Sequence, residues 1–596
     1  MTTYTLLAAG SNSHGQLGTS SLDDAHSFVP IPLPPHLQPV DLACGANHTL
    51  LLIRDERTGR AELLAAGSNA RRQLFPAAGE GKEELRTTFA PIEMQALLPD
   101  EIKHRAEELE PACVAACWET SFLLLRPRRG GAEEGGAADV LLSLGASDWG
   151  ERGVDALGTR GPGAASVVSF SHLLHPGEVL RVERLVAGPR HVLALLSFSS
   201  SDPTGEPGRK LLVGWGASRH GQLGPSAFSS APEKTRARPE VVTLPAGYAA
   251  EGVKDVAVGK EHSAVLLEKP GGERKLLLLG TGRHGQLGPV GEEPYPLPPA
   301  LTVGVEGPAR DRKGKQPARS SNLLSAVSLL SHLPSSSASP LNGPDFSGVG
   351  CTWNGTYALL SLPGPSSASS PVAGVSLPNP VSLPRPPPAG RPAGAANLLV
   401  SFGSNAHGQL GSGASISSFP SASPPSPAGT GEAHLIPLPS VARSSSSPNP
   451  APAASVPAAG RIAHLACGSE HVLALLSPPS PPPNSPSSSP DPSECAAEEA
   501  GGEAEVYGWG WNEHGNLGLS HSMSTTSSSP SSPPPPAPEG LEDVHLPRRI
   551  WPQPRSDAED APQGKDSRRV TRVWGGMATS WILLKDGDGA VETEDE

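Results

Sequence analysis

Seven copies of a short glycine-rich motif constrain the fold of this 596-residue chain more than any other feature. The first copy reads Gly-Ser-Asn-Ser-His-Gly-Gln-Leu-Gly and ends at Gly18. Four near copies end at Gly224, Gly288, Gly411 and Gly518, and two degenerate copies span residues 67–75 and 145–153. A motif that recurs this often indicates a repeat architecture in which each copy marks one structural unit.

A second motif alternates with the first. It reads Leu-Ala-Cys-Gly-Ala-Asn-His from Leu42 and continues as an apolar run to Ile53. Its six counterparts begin at Val114, Val186, Ala257, Val349, Ala466 and Val573. Chance does not keep two seven-fold motifs in register, so the chain contains seven units that each combine both motifs.

Each unit has the pattern of short β-strands. The apolar runs are brief and end in Gly, Asp or Pro clusters, as at residues 54–59, which is typical of hairpins. A core unit needs about 50 residues, which is the size of a propeller blade. The sequence therefore predicts one all-β, seven-bladed propeller over residues 1–584, with repeats at about 4–53, 61–125, 139–196, 210–267, 274–360, 397–476 and 505–584.

The two ends of the chain carry complementary halves of one unit. An apolar strand at residues 4–9 leads into the first glycine motif, and the last strand, residues 580–584, follows the last copy of the second motif. We therefore expect the N-terminal strands to complete the blade that the C-terminal strands begin. This arrangement closes the ring and removes its exposed edges.

Low-complexity segments separate several of the units, and two repeat steps exceed 100 residues. They hold much of the proline in a chain with 68 Pro and 67 Gly. Such sequences bury too little apolar area to offset an ordering entropy of roughly 1–2 kcal/mol per residue. We predict disordered inserts at about 306–345, 361–396, 412–458, 477–504 and 519–569, and an acidic tail at 585–596.

Composition disfavours several functional classes. The net charge of −14 disfavours direct nucleic-acid binding, and the basic stretch 310–319 is interpreted as a solvated loop, with a nuclear-localisation or nucleic-acid patch as the alternative. No apolar run approaches the ~18–20 residues of a membrane span, and the first residues do not have the pattern of a secretory signal. Six cysteines in this length do not form a disulfide scaffold. We expect a protein of the cytoplasm, and also of the nucleus, without membrane contact.

The paired motifs resemble the repeats of the regulator-of-chromosome-condensation family, whose members are seven-bladed propellers. Four segments look like the fungal alpha-tubulin-suppressor, or killer-toxin-insensitivity, propellers: residues 71–75, 116–121, 506–518 and 572–584. That resemblance implies a non-catalytic protein that binds a small zinc-finger electron carrier of the diphthamide pathway. It would thereby support diphthamide synthesis and, through Elongator, wobble-uridine modification of transfer RNA. The large Ser/Pro inserts depart from the family pattern.

Two other functions stay open. The founding member of the repeat family is a guanine-nucleotide exchange factor for Ran, which works at chromatin with a basic N-terminal tail. Here the first predicted blade begins at Tyr4 and the net charge is negative, which disfavours that role. A general scaffold with phosphorylated Ser-Pro docking segments, such as those in 419–490, is the other alternative.

The recurrent histidines and glycines are interpreted as structural. A propeller spreads equivalent positions around a ring, so we expect each histidine to form a hydrogen bond within its own blade. This applies to His48, His191, His262 and His471, and likewise to His14, His220, His284, His407 and His514. The motif lacks the Gly-Lys-Ser/Thr of a phosphate-binding P-loop, so we assign Gly18, Gly224, Gly288, Gly411 and Gly518 to positive-φ turns.

We identify no catalytic motif in the sequence and expect no enzyme activity, no cofactor and no metal. Cys113 and Cys117 lack a second pair of ligands and are interpreted as core thiols. Tryptophan is enriched at interface hot spots, so exposed loop tryptophans are the best candidates for a partner surface, whereas Trp574 and Trp581 are assigned to packing. The candidate surface contains Trp118, Glu119, Trp353, Trp511, Asn512 and Glu513, and the sequence leaves open which propeller face carries it.

Overall fold

The computed structural model describes fourteen stretches of the chain. These are residues 3–75, 85–128, 138–154, 165–200, 208–225, 234–290, 321–333, 343–361, 397–413, 431–438, 461–477, 504–519, 541–552 and 568–586. Most of the predicted inserts and nearly all of the predicted acidic tail lie outside these residues, so their predicted disorder stays a prediction.

Seven four-stranded antiparallel sheets form the blades of a propeller. The predicted all-β, seven-bladed fold is confirmed. Blade 1 consists of β3 (Leu37–Cys44), β4 (His48–Asp55), β5 (Ala61–Ser68) and β6 (Leu85–Pro91). Blade 2 consists of β7 (Leu109–Ala116), β8 (Thr120–Pro127), β9 (Val140–Gly145) and β10 (Ser166–Val167). Blade 3 consists of β11 (Glu178–Ala187), β12 (His191–Ser200), β13 (Arg209–Ala217) and β14 (Thr235–Val241).

The next three blades repeat this arrangement. Blade 4 consists of β15 (Val253–Val258), β16 (His262–Glu268), β17 (Arg274–Gly280) and β18 (Ser321–Ser325). Blade 5 consists of β19 (Asp345–Cys351), β20 (Gly355–Ser361), β21 (Asn397–Gly403) and β22 (His434–Leu435). Blade 6 consists of β23 (Arg461–Cys467), β24 (His471–Ser477), β25 (Glu505–Gly510) and β26 (Val544–Trp551).

Blade 7 is assembled from both ends of the chain. Its inner strands are β27 (Arg569–Gly575) and β28 (Thr579–Lys585), and its outer strands are β1 (Tyr4–Gly10) and β2 (Ala25–Pro30). β1 pairs with β28 over its whole length, from Tyr4 opposite Lys585 to Gly10 opposite Thr579. The predicted ring closure is confirmed.

The sequence repeats are offset from the blades because of this closure. The predicted repeat at 4–53 contributes its first half to blade 7 and its second half to blade 1. In every blade, the second motif forms the two inner strands and the glycine motif follows the third strand.

Three of the predicted inserts contain regular structure, which corrects the prediction of disorder for those residues. Residues 321–331 form β18 and the helix α2 (Ala326–Ser331), and residues 544–551 form β26, while β22 lies within the third insert. Leu324, Leu329 and Ile550 are fully buried and explain the order, since they fill the cores beside their blades. Within the described stretches, the other helical elements are α1 (Met94–Leu97) and single 3₁₀ turns at Lys103–Arg105, Ser171–Leu173 and Ala250–Gly252.

The apolar core is divided among the blade junctions. Seven clusters of buried side chains each lie between two neighbouring blades, such as Leu50 of blade 1 with Leu123 of blade 2. Each blade is therefore stabilised on both of its faces by burial against its neighbours. In the part of the chain that the structure describes, no helix is long and apolar enough to span a membrane.

Candidate functional site

One side of the propeller carries both repeated motifs. Because the strands of a blade are antiparallel, the loop between its first two strands and the loop between its last two strands emerge at the same end. The Arg71 side chain of the latter kind of loop contacts Glu119 of the former kind in the next blade, with Nε 3.1 Å from Oε2. We call this side of the molecule the loop face.

The motif glycines form tight turns on the loop face. Gly18 has a φ of +68° and Gly518 a φ of +65°, and Gly224, Gly288 and Gly411 have similar values. A Cβ atom at Gly18 would lie 2.5 Å from the ring of Phe89, so space as well as backbone conformation requires glycine. The predicted positive-φ turns are present at all five positions.

The four recurrent histidines connect neighbouring blades, which corrects the expectation that each bonds within its own blade. His48 Nε2 lies 2.9 Å from Ser121 Oγ of blade 2, and His191 Nε2 lies 2.8 Å from Ser263 Oγ of blade 4. His262 likewise reaches Thr356 Oγ1 of blade 5, and His471 reaches Ser580 Oγ of blade 7. The blades pack so closely that the next blade offers the nearest polar partner to each buried imidazole.

A hydroxyl relay fixes the role of Nε2 in His48 and His262. Ser121 donates its hydroxyl hydrogen to the carbonyl oxygen of Gln73, 2.6 Å away, so its Oγ is free to accept the Nε2–H of His48. Thr356 similarly donates to the carbonyl of Gln286. Burial lowers the pKa of His48 and His191 to about 3 and that of His262 and His471 to about 4. These neutral, buried imidazoles hold the ring together and are not exposed for chemistry.

Three junctions lack this histidine, and two of them use tryptophan instead. Thr120 and Gly355 occupy the histidine position in blades 2 and 5, and Val192 and Val472 replace the hydroxyl in the following blades. There Trp215 Nε1 donates to the carbonyl of Glu151 at 2.8 Å, and Trp509 Nε1 donates to that of Gln409 at 2.9 Å. We call the junctions between blades 1–2, 3–4, 4–5 and 6–7 imidazole junctions, and those between blades 2–3 and 5–6 tryptophan junctions.

This pairing was missed in the sequence, although a signal is present there. A serine or threonine follows the histidine position in each blade after a histidine-bearing blade, and valine follows it in blades 3 and 6, which come after two of the three blades without a histidine. At the junction of blades 7 and 1, Thr49 Oγ1 donates directly to the carbonyl of Gln16 at 2.7 Å. The signal appears when the histidine position of one blade is compared with the following position in the next blade around the ring.

Backbone hydrogen bonds link most of the loops between the inner strands around the propeller axis. Each of five links joins a backbone N–H of one loop to a carbonyl of another: Ala46 to Trp118, Trp118 to Pro189, Lys260 to Trp353, Trp353 to Ser469 and Ser469 to Gly576. Pro189 has no N–H to continue the series from blade 3 to blade 4. These loops surround the propeller axis on the loop face, and we call the space between them the channel mouth.

Trp118 and Trp353 meet at this mouth. Their rings stack with centroids 5.4 Å apart and an interplanar angle of 27°, although they come from blades 2 and 5. Lys260 Nζ lies 5.1 Å from the Trp353 ring centroid. Trp118 remains 37% exposed, and Glu119 beside it is paired with Arg71. Three of the predicted surface residues therefore lie together on the loop face.

Trp511 and Glu513 lie on the loop face in blade 6. Trp511 Nε1 donates to Glu513 Oε2 at 3.2 Å, and the Trp511 ring makes an edge contact with His514, centroids 5.2 Å apart. His407 of blade 5 also faces Trp511 and pairs with Glu470 at 3.2 Å. Asn354, next to Trp353, donates to Glu470 as well, so a path of contacts links the two groups of predicted residues.

Asn512 does not belong to the exposed surface. It is 2% exposed, and its Oδ1 accepts the backbone N–H of Leu517 at 2.9 Å. Asn12, Asn69 and Asn405 accept the equivalent N–H in their own loops. The side chain of Asn512 shapes the turn that presents Trp511, and the prediction that it contacts a partner is contradicted by its burial.

The remaining candidates are structural. Burial raises the pKa of the Cys113 and Cys117 thiols well above their usual value, which disfavours the thiolate that a metal requires. Among the described residues, no group of three or more His, Cys, Asp or Glu is arranged to hold a metal ion, and Cys495 lies outside them. Trp574 and Trp581 are buried in the core between blades 7 and 1, as the packing interpretation predicts.

Comparison with known proteins agrees with this geometry. Residues 5–52 match the model of the Regulator of chromosome condensation (RCC1) repeat. Yeast RCC1 (Prp20) bound to Kap60 has 16% sequence identity and a TM-score of 0.52, covering 99% of this chain and 90% of that chain. The chain folds as an RCC1-type propeller.

A second structure gives the same result for this RCC1-type propeller. Prp20p from Saccharomyces cerevisiae, described with its binding properties to Gsp1p and histones, has 18% identity and a TM-score of 0.51, covering 98% of this chain and 92% of that chain. No curated protein matches the sequence. At these identities the likeness concerns the fold, and the function is argued from the loop face.

Proposed function

We propose that this RCC1-type propeller is a non-catalytic interaction protein that binds its partner on the loop face. The observation that carries the proposal is the Trp118–Trp353 stack at the channel mouth, with Trp118 37% exposed. Large aromatic side chains that are partly open to solvent and held by neighbours are typical anchors of protein interfaces. Trp511 extends the aromatic surface toward blade 6.

The partner in this proposal is the small zinc-finger electron carrier of the diphthamide pathway. Support comes from the resemblance of residues 506–518 and 572–584 to the alpha-tubulin-suppressor propellers. By covering part of that protein, the propeller would control access to its metal. It would thus support, indirectly, the diphthamide and Elongator-dependent enzymes, in the cytoplasm and also the nucleus.

Co-purification with the zinc-finger protein tests this proposal. The wild-type chain should form a complex at micromolar concentration, and the double variant Trp118→Ala, Trp353→Ala should weaken it at least tenfold. Trp551→Ala is the matched control, because Trp551 lies at the opposite end of β26 from the loop face and should leave binding unchanged. Absence of a wild-type complex at micromolar concentration would exclude this partner.

A second candidate is nucleotide exchange on a Ran-type GTPase. It is favoured by the likeness to Prp20, which is described with binding to Gsp1p. A nucleotide-release assay separates the two, since acceleration of release from Ran by the wild-type chain is expected only for an exchange factor. A scaffold role for the Ser/Pro-rich segments is compatible with either function, and those segments lie mostly outside the described residues.

A further inference from the structure

The loop face separates its charges between two sets of blades. On blades 1–4 its loops carry Arg71, Arg72, Arg190, Arg219, Lys260 and Arg283, together with the carboxylates Glu119, Asp148 and Glu261. We call this part the basic half. Arg71 is paired with Glu119 and Asp148, whereas Arg219 and Arg283 point into solvent from exposed positions.

Blades 5–7 have the opposite charge. Their loops on this face carry Asp24, Glu432, Glu470, Glu513, Glu542 and Asp543, and in the described stretches of these loops there is no lysine or arginine. We call this part the acidic half. His407 and His514 contact three of these carboxylates, while Glu513 and Glu542 are exposed and make no ion pair with any described residue.

Apolar surface accompanies the charges. The Trp118–Trp353 stack lies on the boundary, since Trp118 belongs to blade 2 and Trp353 to blade 5. In the acidic half, a groove of about 640 Å³ lies between the loops around Gly413, Asn512 and Leu541. Its loop end carries Glu542 and Asp543, Leu546 on its wall is 49% exposed, and Arg548 lines it farther along β26. The loop face thus combines exposed apolar side chains with electrostatic charge of opposite sign on either side of them.

The geometry points to one protein partner whose docking surface is itself bipolar. The partner's surface places carboxylates over blades 1–4, an apolar or aromatic centre over the tryptophan stack, and lysine or arginine with apolar side chains over the groove of blades 5–7. This inference rests on the proposed function, in that it uses the same face, and adds the chemistry and the orientation of the partner. A charge separation of this kind fixes the rotation of the partner about the ring axis, because a half-turn would oppose like charges.

Charge reversal in each half tests the inference. Two double variants reverse exposed charges on the loop face: Glu513→Lys with Glu542→Lys in the acidic half, and Arg219→Glu with Arg283→Glu in the basic half. The matched control is the double variant Glu56→Lys with Arg60→Glu on the opposite face. At about 50 mM salt, each loop-face double variant should associate with the zinc-finger protein about tenfold more slowly than the wild type, and the control variant should associate at the wild-type rate. At about 500 mM salt the difference should fall to within about twofold. Equal association rates for all variants at low salt would overturn the inference.

A second measurement decides the inference without any natural partner. Octalysine and octaglutamate peptides, each with a nitroxide, are titrated onto the full chain while tryptophan fluorescence is followed. Octalysine should quench the signal that Trp511→Phe removes, and octaglutamate the signal that Trp149→Phe removes, since Trp149 faces Arg190 in the basic half. Equal quenching of both signals by both peptides would overturn the charge separation. Failure of the zinc-finger protein to bind, with the peptide selectivity intact, would reject only that partner.

Discussion

Imidazole and tryptophan junctions use different side chains to provide a hydrogen-bond donor for a buried backbone carbonyl. In both, a backbone carbonyl of the glycine motif is buried between two blades and requires a donor. At Gln73 the donor is a hydroxyl that also accepts from His48, whereas at Glu151 it is the indole of Trp215. The constant element is therefore the carbonyl, and the repeated histidine is one of two ways to supply its donor.

The difference has a consequence for stability. The indole donates to the carbonyl directly and has no titratable proton in the physiological range. Its large ring also fills volume in the apolar core between the blades. The imidazole needs a second side chain as relay and must stay neutral. The tryptophan junctions should therefore depend on volume, and the imidazole junctions on hydrogen bonding and pH.

The largest effect is expected from Trp215→Ala. Trp215 is fully buried, so its removal leaves a cavity between blades 2 and 3 and should lower the free energy of unfolding by about 3–5 kcal/mol. Urea titration monitored by circular dichroism measures this. Trp215→Phe keeps most of the volume and should cost less, and a loss below about 1 kcal/mol for the alanine variant would contradict the volume argument.

A smaller loss is expected from Ser263→Val at the junction of blades 3 and 4. Nε2 of His191 would lose its hydrogen-bond partner in a buried site, which should cost about 1–3 kcal/mol of unfolding free energy. Ser263→Thr is the control, because Thr356 serves the same purpose at the next junction. His191→Thr combined with Ser263→Val copies the residues at 120 and 192 and should recover part of the loss, which the same titration would show.

Acid should weaken the imidazole junctions selectively. The unfolded chain binds a proton at each histidine near pH 6.5, whereas the folded state resists it until about pH 3 for His48 and about pH 4 for His471. Because the unfolded state binds more protons, stability falls as pH decreases through that window, by up to about 1.4 kcal/mol per pH unit for each histidine.

Unfolding titrations at pH 7 and pH 5 measure this dependence. The variant His48→Gln should show a loss between the two pH values that is smaller than that of the wild type by up to about 2 kcal/mol. His284→Gln is the control, since His284 is exposed on the loop face. An unchanged pH dependence in His48→Gln would show that this junction does not resist protonation.

The smallest effect on stability is expected from Trp118→Ala. Trp118 is 37% exposed and contacts Trp353 across the channel mouth and not within a junction. Its removal should change the free energy of unfolding by no more than about 1 kcal/mol, well below the effect at Trp215. A loss equal to that of Trp215→Ala would mean that the stack is itself a structural junction.

The sequence was sufficient for the fold because its signal repeats. Seven copies of two motifs predicted the number of blades, the closure by residues 4–9 and 580–584, and the positive-φ turns at positions such as Gly18. Each of these follows from local pattern and from counting. By contrast, β18 and β26 lie inside low-complexity segments, where a few apolar residues are ordered only because a preformed blade receives them.

The candidate site was predictable only in part. Exposed tryptophans in loops identified Trp118, Trp353 and Trp511, but their relative positions depend on blades that are not adjacent in the ring. The prediction for Asn512 is wrong because this residue, like its repeat equivalent Asn12, uses its side chain to hold the turn of its own loop. The direction of the histidine hydrogen bonds also depends on the neighbouring blade, and reasoning within one repeat does not contain that information.

The pairing of β1 with β28 also sets an order of events during synthesis. The strands are separated by more than 560 residues, so at roughly 5–20 residues per second the ribosome needs roughly 30–120 s to deliver the partner of β1. During that interval Leu7, which packs against blade 6 in the finished ring, lacks these neighbours. The blade that completes the ring is thus the first to be started and the last to be finished, and for about a minute the nascent protein carries an apolar strand that chaperones can bind.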